Sequence, residues 1–124
     1  MKKAAAVLIG LALAVASIAP ALAATATITG QLVDVHCYTM DKANTGNAHK
    51  DMSATCAQDC AKKGSPVALL TADGKVYEIA GDLTANNNAK LVPHMSHTVE
   101  IAGDVVEKGG KTTITAADLK MIKR

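Results

Sequence analysis

The sequence predicts a mainly β domain, arranged as a small five-stranded OB-like barrel, and three observations carry that expectation. Thr25, Thr27 and Thr29 interleave with Ile28, Leu32 and Val33 in "TATITGQLVDV" (25–35), a β-rich alternation that reads as a strand. In "PVALLTADGKVYEIAGD" (66–82) an Asp-Gly turn separates two strand-like runs, the signature of a hairpin. In 97–123, Val99, Ile101 and Val105 alternate with polar neighbours before Lys108-Gly109-Gly110-Lys111 turns the chain back through Thr112–Ile114. Strand, helical insertion, two hairpin strands, short helix, two strands is the layout of an OB-like barrel. An open antiparallel sheet with a helix on one face is the alternative; closure is preferred because it removes exposed strand edges.

Each element has a local reason. Gly30 interrupts the first strand and predicts a bulge or a sharp bend. The stretch after Cys37 is first turn-prone ("DKANTGNAH") and then helix-friendly from Ala54 to Lys63, with Ser53 as the expected N-cap and Asp51 as its competitor. Lys62 and Lys63 suit the last turn, Gly64 suits a left-handed residue after it, and Pro66 stops continuation. "LTANNNAKLVPHMS" (83–96) predicts a short helix or turn ended by Pro93, and "AADLKMI" a terminal strand piece or short helix. With two tyrosines, no phenylalanine and no tryptophan, the core is expected to be aliphatic.

The chain opens with Lys2 and Lys3, an alanine-rich apolar run, and Ala21-Leu22-Ala23, the pattern of an export signal cleaved after Ala23. Gly10 and Pro20 interrupt the run and argue against a retained anchor. The expectation is a signal over 1–23 and a single domain over 24–124, periplasmic or secreted, with no membrane association after cleavage. The two leader lysines account for the net charge of +2, so the domain itself is near neutral with interspersed signs. No basic stripe and almost no aromatic surface point to nucleic acid. No phosphate-binding loop, C-x-x-C-H haem attachment or paired catalytic carboxylates occur, so an enzyme ranks third among the function classes.

Chemistry concentrates on Cys37, Cys56 and Cys60. The last two lie four apart, about 40° from each other around a helix. Extending that helix backward brings His49 onto the same stripe, with Met52 nearby, and a fold of the loop would bring Cys37 alongside. Three readings compete. In the first, Cys37 forms a disulfide with Cys56 or Cys60, closing a loop of about 20 residues worth roughly 3 kcal/mol, and the domain is a stapled interaction module for a periplasmic partner protein or small ligand. In the second, Cys37, His49, Cys56 and Cys60 ligate a soft metal ion, copper or zinc, with copper slightly favoured by Met52 and by export. In the third, Cys56 is a redox-active thiol in a helical first turn, although C-x₃-C is not the spacing of thiol oxidoreductases. Asp34 is expected to orient His36 or a ligand. His94 and His97, in "PHMSH", read as solvated loop histidines or as an additional metal site.

The run "GQLVDVHCY…H…CAQDCAKKGSPVALLTADGKVYEI…GD" resembles small secreted bacterial OB-fold-like proteins of unassigned function. Their Val-Asp-x-x-Cys strand end, His, Cys-Ala-x-x-Cys helix and Gly-x-Pro exit fall here on Asp34, Cys37, His49, Cys56, Cys60, Gly64 and Pro66. The resemblance implies an OB-like barrel and a cysteine-centred site.

Overall fold

In a computed structural model of the chain the described residues are 23–49 and 53–124; the predicted export signal, apart from Ala23, lies outside them, as does Met52. The elements are β1 (Ala23–Asp34), α1 (Val35–Met40), α2 (Cys56–Lys62), β2 (Val67–Leu70), β3 (Val76–Ala80), β4 (Thr98–Lys108), β5 (Lys111–Thr115) and β6 (Lys120–Lys123). No helix among the described residues is long and apolar enough to cross a membrane.

The barrel closes because β1 is long enough to serve two neighbours. Its first part pairs antiparallel with β4, from Ala23↔Val106 to Gln31↔Thr98. Its end pairs antiparallel with β2, from Gln31↔Leu70 to Asp34↔Val67. β2 and β3 form the Asp-Gly hairpin, β3 and β5 run parallel, and β5 returns to β4 through Gly109-Gly110. The ring β1-β2-β3-β5-β4 is therefore a closed five-stranded OB-like barrel. The terminal segment, open between strand and helix on sequence grounds, is a strand: β6 adds to β4 beside β5, with an irregular step at Thr98/Val99. β1 passes through Gly30 without a register shift, so the glycine marks a close approach rather than a bulge. A Cβ there would lie 2.8 Å from the Leu70 carbonyl oxygen.

The core is aliphatic. Leu32, Leu69, Val99, Ile101 and Ile114 are fully buried inside the barrel. On β4 the inward Val99 and Ile101 alternate with more exposed Thr98, Glu100 and Ala102, as the two-residue period of a strand requires. Leu83, Leu91 and Met95 belong to the same buried cluster, as do Ala57 and Ala61 of α2. Leu83, Leu91 and Met95 lie on the connection from β3 to β4, which consists of 3₁₀ turns at Asp82–Thr84 and Val92–His94 around a left-handed stretch. There Asn86, Asn87 and Asn88 have φ of 54°, 54° and 60°, a conformation asparagine tolerates better than other non-glycine residues. Pro93 does not end a helix as expected. It opens the second 3₁₀ turn, where its missing N–H costs nothing.

Among the described glycines, Gly103 leaves the least room for a side chain. A Cβ on Gly103 would lie 2.3 Å from the Thr115 carbonyl oxygen, where β4 crosses the end of β5, and backbone cannot withdraw from that contact as a flexible side chain would. Gly103→Ala is expected to destabilise the domain by about 3 kcal/mol or more, within the range of overpacking and backbone-displacement effects. Urea unfolding with far-UV circular dichroism measures it, with Gly74→Ala, which meets nothing within 4 Å, separating steric closure from backbone strain.

Candidate metal centre

The three cysteines and His49 converge because two short helices and the loop between them are tied together through their backbones. β1 ends at Asp34, whose Oδ1 accepts the Cys37 N–H at 2.8 Å and so caps α1. The single turn that follows buries Cys37 and leaves His36 and Met40 exposed. The Cys37 carbonyl accepts the Asp41 N–H at 3.1 Å and the Asn44 side-chain amide at 3.0 Å. Cys37 is thus fixed at both backbone ends by buried partners.

α2 is capped by the same loop. The Asn47 carbonyl accepts the Ala57 N–H at 3.1 Å, and Asn47 Oδ1 accepts the Gln58 N–H at 3.1 Å. Ser53, the expected cap, instead accepts the Cys56 N–H with its carbonyl and turns its hydroxyl toward Asp59. At the other end Gly64, with φ of +87°, takes the left-handed position. The Gly64 N–H donates to the Ala61 carbonyl and the Ser65 N–H to the Cys60 carbonyl, a Schellman closure. Buried Asn88 then reaches across from the left-handed stretch and donates to the carbonyls of Ala61 and Ser65, both at 2.9 Å. The helix carrying Cys56 and Cys60 is held at its start by Asn47 and at its end by Asn88.

Around Cys37 the donor atoms fall into two groups. Cys37, His49 and Cys56 present ligand atoms that all lie within 4.8 Å of one another, and so do Asp34, Cys37 and Cys60. All four expected ligands are present, so the Cys/His cluster is arranged to hold a metal ion. His49 arrives by a different route from the one expected, from an irregular loop rather than a backward extension of α2. Its Nε2 lies 2.9 Å from the Gly46 carbonyl oxygen. A carbonyl only accepts, so Nε2 carries the proton and Nδ1 keeps a bare lone pair. That Nδ1 is buried with no hydrogen-bond partner. An imidazole fixed by one nitrogen to a backbone carbonyl, with the other left as an acceptor, is the usual preparation of a metal ligand.

The electrostatics favour protonated thiols until a cation arrives. Cys37 is pushed up to about 12, by burial first and then by the Asp34 carboxylate beside it, with Cys60 and Cys56 adding to the effect. Cys60 is also raised, by burial and then by the Asp34 charge. None of the three cysteines is in a disulfide, so the cross-link expected from Cys37 to Cys56 or Cys60 is not formed: their sulfurs are neighbours without being at bonding distance. Asp34, expected only as an orienting group, is itself a donor to the second group. The three-residue spacing from Asp34 to Cys37, that of an N-cap bonded to the third helical N–H, was the signal that could have revealed its position. His36, exposed on α1, takes no part.

His94 and His97 belong to neither group among the described residues. Their rings meet edge to face with centroids 6.2 Å apart, and each has a buried Nδ1 with no hydrogen-bond partner. They are half-buried rather than solvated. His94 is shifted below the usual histidine value of 6.5 by burial, then by His97 and Arg124, both of which oppose a second positive charge. A depressed histidine keeps its full contribution to stability above the unfolded value and loses it as the pH falls through the folded one. Stability should therefore decline as the pH drops below 6.5, and His94→Gln should flatten that decline, as read from thermal midpoints across an acid titration.

Comparison of the chain with protein-family models, with curated proteins and with solved structures finds no match in any of the three.

Proposed function

We propose that this protein binds a thiophilic metal ion, Zn(II) or Cu(I), through Cys37, His49, Cys56 and Cys60, as an exported protein for metal capture or delivery. The observation that carries the reading is the convergence of Cys37, His49 and Cys56, whose ligand atoms lie within 4.8 Å of one another, on an imidazole whose Nδ1 is buried without a hydrogen-bond partner. A buried acceptor left bare costs about 1–3 kcal/mol, and a cation removes that cost. The spacing suits coordination. Sulfurs on a tetrahedral zinc stand roughly 3.8 Å apart for Zn–S bonds of about 2.3 Å, so within each group, where the atoms already lie within 4.8 Å, only a small inward movement is needed. Sulfur and imidazole donors suit both ions. The additional donor that shares a group with Cys37 and Cys60 is the Asp34 carboxylate, a ligand zinc accepts. The leader, which predicts export, supports capture outside the cytoplasm.

Metal analysis and thiol counting on protein isolated from its native compartment test the reading. The expected result is stoichiometric zinc or copper with three titratable thiols after metal removal. Metal-free protein with Cys37 in a disulfide would overturn it and favour the stapled module. His49→Asn and Cys37→Ser should each lower affinity, by more than the ~10–100-fold typical of losing an outer hydrogen bond. Addition of Zn(II) at a hundredfold excess over its Kd should stabilise the wild type by about 2.7 kcal/mol. The Cys37→Ser domain should gain far less.

A further inference from the structure

We propose that the centre holds two metal ions bridged by the Cys37 thiolate, one completed by His49 and Cys56 and the other by Asp34 and Cys60. This rests on the metal-binding reading above and adds its stoichiometry and bridging geometry. Three observations carry it. Cys37 is the member common to both donor groups, and the atoms of each group lie within 4.8 Å of one another. A thiolate sulfur has lone pairs enough to bind two ions at once. The second group has its own unfilled acceptor: Asp34 is fully buried, one carboxylate oxygen is engaged with the Cys37 N–H, and Oδ2 has no hydrogen-bond partner.

Charge points the same way. When all three thiols lose their protons to solvent, the sulfurs and Asp34 together carry four negative charges around one buried residue. Two Zn(II) ions neutralise the set. The bridging sulfur lies between the cations and screens their mutual repulsion at the separation of about 3.5–4 Å found in paired metal sites.

Native mass spectrometry of the metal-stripped protein titrated with Zn(II) reads the answer. Two ions per chain are expected. One ion overturns this inference and leaves the metal-binding reading standing; none overturns both. Asp34→Asn combined with Cys60→Ser should reduce binding from two ions to one. Asparagine keeps an oxygen to cap α1, so the fold is expected to survive, and circular dichroism checks that it does. If the double variant is folded and still binds two, the inference is overturned. His94→Asn with His97→Asn should still bind two, and a fall to one there would put the second ion on the histidine pair and overturn the assignment. Cadmium NMR supplies a measurement on the unsubstituted chain. Two resonances split by each other through the shared sulfur are expected, and two resonances without mutual coupling would overturn the bridge.

Discussion

A single buried hydrogen bond, from the Cys37 N–H to Asp34 Oδ1, joins the barrel to its chemistry. Asp34 is the last residue of β1 and is paired there with Val67 of β2, so its backbone is fixed by the sheet. Its carboxylate stops the strand and starts the helix, which turns Cys37 inward after one turn. Burial first, and then this carboxylate, push the thiols of Cys37 and Cys60 up from the usual cysteine value. An apolar residue at this position could cap nothing and would leave the thiols easier to ionise. The barrel thus supplies a rigid strand end, and one acidic side chain converts it into a preloaded cation site.

The loop and the left-handed stretch have a matching task. α1 and α2 are too short to be stable alone. Asn44 holds the end of α1, Asn47 starts α2, and Asn88 secures its last turn, each through buried or half-buried backbone groups. Three consecutive residues with positive φ are unfavourable for any side chain, and they persist here because Asn88 satisfies two carbonyls from that conformation. The strain is retained where it positions Cys60.

A carboxylate oxygen and an imidazole nitrogen, both buried without hydrogen-bond partners, describe a site whose polar groups are not all satisfied by the protein itself. Most buried polar atoms in a folded chain find a partner, so unpaired atoms gathered at one place point to something the chain is built to receive. Asp34 Oδ2 and His49 Nδ1 are two such atoms, and both residues share a donor group with Cys37. The barrel core, by contrast, is aliphatic throughout and carries no comparable deficit.

The barrel was legible from the chain because its signals are local. Alternation along Val99–Ile101, the Asp73-Gly74 and Gly109-Gly110 turns, and the Gly64-Pro66 exit from α2 each act within a few residues, and each is realised. The identity of the clustered ligands was legible too, since few side chains other than cysteine and histidine serve that chemistry. Tertiary structure decided how they are arranged. Ser53 is a good cap by composition, yet Asn47 takes the role because the loop lays its amide and carbonyl over the helix start. His49 meets Cys56 through a bond to Gly46 rather than through helical periodicity. The division of the donors into two groups around Cys37, with Asp34 in one of them, depends on where β1 ends relative to α2. That distance is set by barrel closure, a constraint among residues far apart in the chain, and no short-range pattern encodes it.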